Sequence, residues 1–394
     1  LGGHSKEEFE RVDVVIKNPG IRFDNEYLVR AKECGADIFV DSAIFFSLCE
    51  APIIGVTGSK GKTTTTSLLA HILEAAGKQV VRVGVSQVGV LSQLQEVTEE
   101  CIVVFELSSW RLAGLRDIEM SPHIAIITNL YPDHLNYYED MQSYAEDKAE
   151  IFLWQQPDDV TILSAENEWT EWFGSEAPGR VLSFGKSSQE DAWQDELTLW
   201  IKDGEVEVPL IEKKDCVLQG EHNFANILAA TLGAIEAGVS FSDIRRGVET
   251  FRGVPHRFER VRELDEVTYI NDTTATIPDA VKASVESLSQ EVVLLAGGSD
   301  KDLPLAPLIE VIETRVKHAV LFKGSATDKI VEELDKVNYS RYTIVHSMKE
   351  AVDVARSQSQ AGDVVLLSPG AASFGMFRNE FDRGEQFQKS VNEL

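Results

Sequence analysis

The sequence predicts an α/β fold in which a mostly parallel sheet carries helices on both faces. Two observations lead to this class. Short β-rich runs alternate with helical stretches along the 394 residues. Several of these runs are nearly continuous in Val, Ile and Leu, which is typical of parallel strands buried on both faces. At roughly 150 residues per domain, the length predicts two or three domains.

The elements follow from this alternation. The predicted strands are Val12–Ile16, Pro52–Val56, Cys101–Glu106, Ile124–Thr128, Val160–Leu163, Val267–Ile270, Val292–Ala296, Ala319–Phe322 and Val364–Leu367. The predicted helices are Thr63–Ala76, Ser143–Trp154, Asn223–Glu236, Phe241–Thr250, Pro278–Leu288 and Met348–Arg356. A strand-rich stretch from about residue 180 to 218 predicts a small antiparallel subregion in the middle of the chain.

Two stretches predict domain boundaries. The first 40 residues contain a strand, the turn Asn18-Pro19-Gly20, a helix and a short strand at Asp37–Val40, like the end of a separate βα domain. Gly253-Val254-Pro255 ends a helix and precedes a new βα series. We therefore expect domains at residues 1–40, 41–253 and 254–394.

The composition excludes several classes of protein. Acidic residues outnumber basic residues 65 to 37, which gives a formal net charge of -28. Such a surface argues against a general nucleic-acid binder and against binding to anionic membranes, although a few local cations suffice for a small anionic substrate. There is no apolar run of about 18 residues, so no transmembrane helix is predicted. Four widely spaced cysteines without a C-x-x-C pair indicate a reduced, cytoplasmic protein.

The strongest motif is GVTGSKGKTT at residues 55–64, between a predicted strand and a predicted helix. Its glycines let several backbone N–H groups point at a phosphate, and the helix N-terminus adds the positive end of its dipole. Lys62 can reach the β- and γ-phosphates, and the Thr63 hydroxyl can bind Mg²⁺. The motif predicts a nucleotide-binding loop rather than an incidental glycine-rich turn.

Further polar residues follow strand ends or open a helix. Glu106 ends an apolar strand, where a carboxylate near a phosphate loop can hold Mg²⁺. His134 follows the next strand and could bind metal or substrate, whereas Lys148 by itself reads as a surface lysine. Asn223 and Asn226 share one face at the start of a helix, where their amides either cap the helix or bind a nucleotide.

The last domain carries a second group of candidates. Arg257, just past the predicted boundary, suits a phosphate or ribose. Polar loops follow three predicted strands, at residues 271–276, 297–301 and 367–374. Because the carboxyl ends of parallel strands meet at one edge of a sheet, we expect these loops to form a ligand site.

Taken in order, these motifs resemble those of the Mur ligase family over nearly the whole chain. They are GVTGSKGKTT, ELSS, DHL with a lysine fourteen residues after its histidine, GEHNFAN, PHRFE, NDTTAT and LLSPGAAS. The ELSS sequence at Glu106 resembles that of the members which add D-glutamate. The resemblance implies a P-loop central domain and a Rossmann-like C-terminal domain that binds the amino acid. It also implies that residues 1–40 are the remnant of an N-terminal UDP-binding domain whose first βαβ unit is missing.

The resemblance also implies an activity. It is the ATP-dependent addition of D-glutamate to UDP-N-acetylmuramoyl-L-alanine through an acyl phosphate, in peptidoglycan biosynthesis, by a monomeric cytoplasmic enzyme. The implied catalytic residues are Lys62, Glu106, His134 and Lys148. Two Mg²⁺ ions would be held by Thr63, Glu106, His134 and Lys148, the lysine as a carbamate derived from CO₂. The implied ATP contacts are Gly58, Ser59, Lys60, Gly61, Lys62, Thr63, Thr64, Asn223, Asn226, Arg257 and Asp272. The implied substrate contacts are Gly20, Gln87, Thr276, Lys301, Ser373 and Phe374.

Three positions depart from the family's pattern. Thr274 stands where lysine is common, Gln87 where asparagine is usual, and Glu380 where an aromatic residue is usual, with Phe381 beside it. The alternatives are another amide ligase of this family or a folylpolyglutamate-synthase-like ligase, a P-loop ATPase of a motor or transporter, and a non-catalytic homologue. A panel of acceptor substrates separates the ligases, and stimulation of ATP hydrolysis by nucleic acid or a membrane partner would indicate the motor.

Overall fold

The computed structural model describes residues 4–85, 88–133 and 137–394. The chain divides into two compact units, Leu1–Arg252 and Gly253–Leu394. Within the described residues the strands form three sheets, of two, nine and six strands. Most strand pairs are parallel and helices connect them, so the predicted α/β class is confirmed. A further division at residue 40 stays a prediction. None of the helices in the described residues is both long and apolar enough to cross a membrane.

The first unit begins with a small sheet of its own. Its elements are α1 (Lys6–Phe9), β1 (Val14–Lys17), α2 (Glu26–Glu33), β2 (Asp37–Val40) and α3 (Asp41–Leu48). Strands β1 and β2 pair in parallel, with Val14 opposite Asp37. Asn25 caps α2, since its side chain accepts a hydrogen bond from the Tyr27 backbone N–H. The predicted order of strand, turn, helix and strand is confirmed.

The rest of the first unit is built on the large central sheet. Its strands are β3 (Ile53–Thr57), β4 (Val80–Val83), β5 (Ile102–Glu106), β6 (Ile124–Ile127), β7 (Val160–Ser164), β8 (Arg180–Gly185), β9 (Ala192–Gln194), β10 (Thr198–Asp203) and β11 (Val206–Glu212). Its helices are α4 (Lys62–Ala75), α5 (Ser109–Leu112), α6 (Met141–Ala149), α7 (Thr170–Glu176), α8 (Glu221–Glu236) and α9 (Phe241–Thr250). Short 3₁₀ helices lie at Val90–Glu96, Arg116–Ile118 and Lys213–Asp215.

The strand order of the central sheet places three strand ends side by side. The order is β11-β10-β9-β8-β7-β6-β3-β5-β4, and β3 pairs in parallel with both β5 and β6. Every residue of β3 is buried, as the apolar run predicts. The loops after β3, β5 and β6 therefore leave the same edge of the sheet, which is where ligands bind in such sheets.

Two sequence-based expectations about this unit are wrong in detail. The stretch from 180 to 218 is only partly antiparallel. Strand β8 extends the parallel sheet, and only β9, β10 and β11 pair antiparallel. The predicted helix Ser143–Trp154 begins earlier, because Asp140 caps it by accepting from the Ser143 backbone N–H. It ends at Ala149, after which the chain turns and the Trp154 N–H donates to Ser121 Oγ.

The second unit is a single mixed sheet covered by helices. Its strands are β12 (Glu259–Leu264), β13 (Val267–Asn271), β14 (Val292–Gly297), β15 (Val316–Phe322), β16 (Tyr342–Val345) and β17 (Val364–Leu367). Its helices are α10 (Pro278–Glu286), α11 (Ala306–Arg315), α12 (Ser325–Lys336), α13 (Met348–Gln358) and α14 (Glu380–Asn392). The order is β12-β13-β17-β14-β15-β16, and among the described strand pairs of this second sheet only β12–β13 is antiparallel. Strands β13, β17 and β14 are therefore neighbours, and their carboxyl ends carry the three predicted loops.

Candidate active site

The loop between β3 and α4 is shaped by two glycines. Gly58 has φ 145° and Gly61 has φ 85°, a region that favours glycine. A Cβ on Gly58 would come within 2.0 Å of Thr128 Oγ1, so the close packing also requires glycine there. Lys62 Nζ reaches back over the loop and donates to the carbonyls of Gly58 at 2.8 Å and Ser59 at 3.2 Å. The lysine therefore lies at the mouth of the loop, as a phosphate-binding lysine must.

The segment after β6 holds this loop in place. Ser59 Oγ donates to the Tyr131 carbonyl at 3.0 Å and accepts from the Tyr131 N–H at 2.9 Å. Asn129 Oδ1 accepts from the Lys60 N–H at 2.9 Å, and Thr128 Oγ1 donates to the Lys60 carbonyl at 2.6 Å. Sequence reasoning gave Thr128, Asn129 and Tyr131 no role in the site, because their contacts join residues about seventy positions apart.

Lys148 is the least expected member of the site. Its neighbours in the sequence predict an exposed lysine, yet only 1% of the residue is accessible to solvent. Its Nζ donates to Thr57 Oγ1 at 3.2 Å and to the Gly58 carbonyl at 3.1 Å. Burial lowers its pKa well below the usual value, and the nearby charge of Lys62 lowers the pKa further. A neutral amine has two N–H donors, and these two acceptors satisfy both.

Glu106 lies on the strand beside the phosphate loop. It ends β5 opposite Val56, one residue before the end of β3. The next residue of the chain, Leu107, accepts a hydrogen bond from Thr57 Oγ1 at 2.7 Å. Thr57 thus connects the end of β5 with Lys148. Thr63 lies in the first turn of α4 and is half-buried.

The two asparagines of α8 have different surroundings. Asn226 is 6% exposed and accepts from Thr65 Oγ1 at 3.3 Å. Its Oδ1 lies 2.3 Å from the position that a Cβ on Gly61 would take, so it packs directly against the loop. Asn223 instead donates to the Gln219 carbonyl at 2.9 Å, in the turn that precedes the helix. The structure therefore brings Asn226 to the phosphate loop and gives Asn223 a local hydrogen bond.

Other predicted residues of the first unit are placed as follows. Lys60 Nζ lies 3.3 Å from Asp133 Oδ2, a pair at the surface of the loop. Gly20 lies in the exposed turn between β1 and α2. His134 and Gln87 lie outside the described residues, so their predicted roles stay predictions.

In the second unit Asp272 lies just after β13 and accepts hydrogen bonds from three parts of the chain. Its Oδ2 accepts from Ser284 Oγ at 2.6 Å and from Ser368 Oγ at 3.2 Å, and its Oδ1 accepts from the Phe258 N–H at 3.1 Å. Burial raises the pKa of this carboxyl despite these hydrogen bonds. Arg257 is exposed beside Phe258, which has φ 48°, a strained value for a bulky residue. The hydrogen bond with Asp272 stabilises this strained turn, which carries Arg257.

The predicted amino-acid residues fall on the neighbouring loops. Lys301 Nζ donates to Thr276 Oγ1 at 2.9 Å, so two of them are in direct contact. Ser373 is buried, whereas Phe374 is 66% exposed. The loops of Lys301 and Ser373 are joined, because Ser299 and Ala372 exchange backbone hydrogen bonds of 2.9 and 3.0 Å. These contacts tie the loop after β14 to the loop after β17.

Two of the positions that depart from the family's pattern, Thr274 and Glu380, lie in this unit. Thr274 Oγ1 donates to the His256 carbonyl at 3.1 Å, so it supports the Arg257 turn. Glu380 begins α14 and its backbone carbonyl accepts from Thr273 Oγ1 at 2.8 Å. Its negative charge acts on Lys301, and it opposes the burial that lowers the pKa of that lysine.

Comparison with known protein families matches both units. Residues 56–234 match the Mur ligase middle domain, and residues 256–370 match the glutamate ligase domain of Mur ligases. A UDP-N-acetylmuramoylalanine--D-glutamate ligase of Roseiflexus sp. (strain RS-1) is 41% identical over 99% of this chain and 86% of its own length. The chain belongs to the Mur ligase family. A ligase of the same name from Clostridium perfringens is 37% identical over 97% of this chain and 83% of its own length.

Solved structures agree with the Mur ligase fold. MurF from Acinetobacter baumannii superposes with a TM-score of 0.67 at 18% identity, over 97% of this chain and 90% of that protein. The E. coli FolC complex with DHPP and ADP gives a TM-score of 0.61 at 18% identity, over 90% of this chain and 92% of that protein. At such identities these likenesses establish the fold and leave the substrate open. The predicted Mur ligase architecture of a P-loop unit and a Rossmann-like unit is confirmed.

Proposed function

We propose that this Mur ligase joins D-glutamate to the L-alanyl carboxylate of UDP-N-acetylmuramoyl-L-alanine, with hydrolysis of ATP to ADP and phosphate. The observation that carries the proposal is the near-complete match to D-glutamate ligases. The geometry agrees, because Lys62, Glu106 and the buried Lys148 lie at one edge of the central sheet. Four unpaired cysteines are in keeping with the cytoplasm, where we place the reaction, and we take the enzyme to be a monomer.

The residues present fit a Mg²⁺ site in which the protein supplies only a few of the ligands. Among the described residues no group of three His, Cys, Asp or Glu side chains could hold a metal ion. Mg²⁺ often binds through only one or two protein carboxylates together with substrate phosphates. Thr63 and Glu106 would supply such oxygen ligands beside the phosphate loop. Mg²⁺ would neutralise the charge that develops on the phosphates during transfer.

Lys148 completes the donor set only after a chemical change. An ammonium group cannot bind a cation, but the neutral amine can attack CO₂ and lose a proton, which leaves an anionic carbamate. Burial and the nearby charge of Lys62, which lower the pKa of Lys148, favour that neutral amine. We therefore propose that Lys148 is carbamylated and serves a second Mg²⁺, with His134 as a further ligand.

The chain's own groups would act mainly by position and charge. Lys62 and the backbone N–H groups of the loop hold the γ-phosphate as it passes to the substrate carboxylate, forming an acyl phosphate. In the second unit Lys301 and Thr276 orient the amino acid through its side-chain carboxylate, with Ser373 and Phe374 as further contacts. The D-glutamate amine then attacks the acyl carbon and phosphate leaves. The remaining proposed ATP contacts are Gly58, Ser59, Lys60, Gly61, Thr63, Thr64, Asn223, Asn226, Arg257 and Asp272, and the proposed contacts of the UDP-linked substrate are Gly20 and Gln87.

The test is phosphate release in the presence of ATP, Mg²⁺ and UDP-N-acetylmuramoyl-L-alanine. D-glutamate is compared with D-aspartate, L-glutamate, L-lysine and meso-diaminopimelate. Turnover that depends on D-glutamate is the expected result. Turnover with another amino acid would reject D-glutamate while keeping the ligase chemistry, and absence of turnover with every amino acid would reject the ligase.

A further inference from the structure

The Lys17 side chain is buried beneath the turn between β1 and α2 and is hydrogen-bonded to it. Its Nζ donates to the carbonyls of Pro19 at 3.0 Å and Ile21 at 2.8 Å, and it lies 4.1 Å from the centroid of the Phe23 ring. Only 5% of the residue is accessible. Most of its sequence neighbours are exposed. Burying a charge is costly unless its donors are satisfied, and the two carbonyls accept two of the three N–H groups of this ammonium.

The rest of the turn is also held by hydrogen bonds. Asn18 Oδ1 accepts from the Gly20 N–H at 3.0 Å, and the Asn18 carbonyl accepts from the Ile21 N–H at 3.0 Å. Asn18 therefore sets the local backbone, while Lys17 ties together the two carbonyls on the other side. Gly20 lies on the exposed surface of the turn.

The ammonium group has a defined charge environment. The charges of Asp147, on α6, and Asp41, at the start of α3, favour its charged form. Each is also paired with an arginine, Asp41 with Arg111 at 3.0 Å and Asp147 with Arg116 at 3.2 Å. Neither carboxylate is therefore devoted to Lys17 alone. Burial lowers the pKa of Lys17 to about 8.

We propose that Lys17 is a positioning residue for the diphosphate of the UDP-linked substrate. It holds the Asn18–Ile21 turn in shape so that Gly20 meets the substrate, and it places a positive charge behind that contact. The inference rests on the proposed function, because Gly20 is itself a proposed contact of that substrate. Nothing in the phosphate loop or in the amino-acid loops takes part, so only one of the three substrates should be affected.

The test compares Lys17→Met with Lys32→Met, an exposed lysine on the following helix α2. Loss of the buried charge and of the two hydrogen bonds that hold the turn should raise the KM for UDP-N-acetylmuramoyl-L-alanine at least tenfold in Lys17→Met. The KM for ATP, the KM for D-glutamate and kcat should stay within about twofold. Lys17→Arg, which keeps the charge and the donors, should recover most of the loss.

A pH profile separates this role from a merely structural one. Above pH 8 the KM of the wild type for the UDP-linked substrate should rise as Lys17 loses its charge, whereas that of Lys17→Arg should stay level. Thermal unfolding of each variant checks the fold, and Lys17→Gln replaces Lys17→Met if the latter does not fold. An unchanged KM, or an equal rise for all three substrates, in an active enzyme would overturn the inference. An inactive wild type would instead overturn the proposed function.

Discussion

The Nζ atom of Lys148 lies 3.2 Å from the Oγ1 atom of Thr57, the last residue of β3. The same hydroxyl donates to the Leu107 carbonyl at 2.7 Å, just past the end of β5. One threonine therefore connects a buried lysine of α6 with two adjacent strand ends. This connection makes Lys148 part of the edge that carries the phosphate loop.

Replacing Lys62 by alanine should abolish ligase turnover and leave the fold intact. The Lys62 side chain is half-buried and donates to two carbonyls of its own loop at 2.8 and 3.2 Å, so we expect its truncation to leave the core packing intact. Loss of a preorganised charge at the transferred phosphate should lower kcat by at least about 100-fold. Phosphate release measures the loss, and circular dichroism checks the fold. Lys78→Ala, at an exposed position after α4, is the control, and activity of Lys62→Ala within tenfold of the wild type would refute the role.

Gly61→Ala should weaken ATP binding through a steric clash. The new Cβ would lie 2.3 Å from Asn226 Oδ1, in addition to the strain of φ 85°. Gly77→Ala is a matched control, because Gly77 has φ 81° but no atom within 4 Å of its Cβ position. Both variants should lose roughly 1–2 kcal/mol of stability from backbone strain. Only Gly61→Ala should also raise the Kd for ATP, measured by calorimetry, and equal ATP affinities would show that Asn226 does not restrict the loop.

Turnover should depend on dissolved CO₂ through Lys148. In buffer stripped of CO₂ the wild type should lose activity several-fold and regain it when bicarbonate is added. Lys148→Met should be inactive under both conditions, because a thioether cannot form a carbamate. Lys78→Met should respond to bicarbonate as the wild type does. Identical wild-type rates with and without CO₂ would exclude the carbamate.

The buried amine of Lys148 should also lower stability at neutral pH. Burial lowers its pKa in the folded state below the unfolded value of 10.5. Its contribution to stability is therefore fully present above pH 10.5 and is lost as pH falls toward the folded pKa, since the unfolded chain takes up the proton. In CO₂-free guanidinium chloride titrations, Lys148→Met should unfold at a higher denaturant concentration than the wild type at pH 7. The difference should shrink toward pH 10.5, and a constant difference would contradict the shift.

Lys301→Met should affect the amino-acid substrate alone. Lys301 donates to Thr276 and carries the charge proposed to meet the side-chain carboxylate of D-glutamate. Loss of a charge-assisted hydrogen bond of about 1.5–3 kcal/mol should raise the KM for D-glutamate roughly ten- to hundredfold. The KM for ATP should not change. Lys323→Met, an exposed lysine after β15, is the control, and an unchanged KM for D-glutamate in Lys301→Met would remove Lys301 from the amino-acid site.

Glu380 illustrates where sequence reasoning stopped. The sequence has an acidic residue here, where an aromatic residue is usual in the family. It does not indicate which residue the carboxylate acts on. The structure places it at the start of α14, where its charge acts on Lys301. Glu380 and Lys301 are far apart in the sequence, so no local pattern of residues predicts this interaction.

The sequence by itself determined the α/β class, the parallel strands and the phosphate loop. The alternation of strands and helices, the apolar runs and the spacing of the glycines are all local properties of the chain. Its motifs also sufficed to indicate the family. Only the tertiary structure decided that Lys148 is buried, that Asn226 rather than Asn223 packs on Gly61, and that Lys17 closes the Asn18–Ile21 turn. The physical reason is that burial and the pKa of a side chain depend on which distant elements surround it, and strand order brings those elements together only in the folded chain.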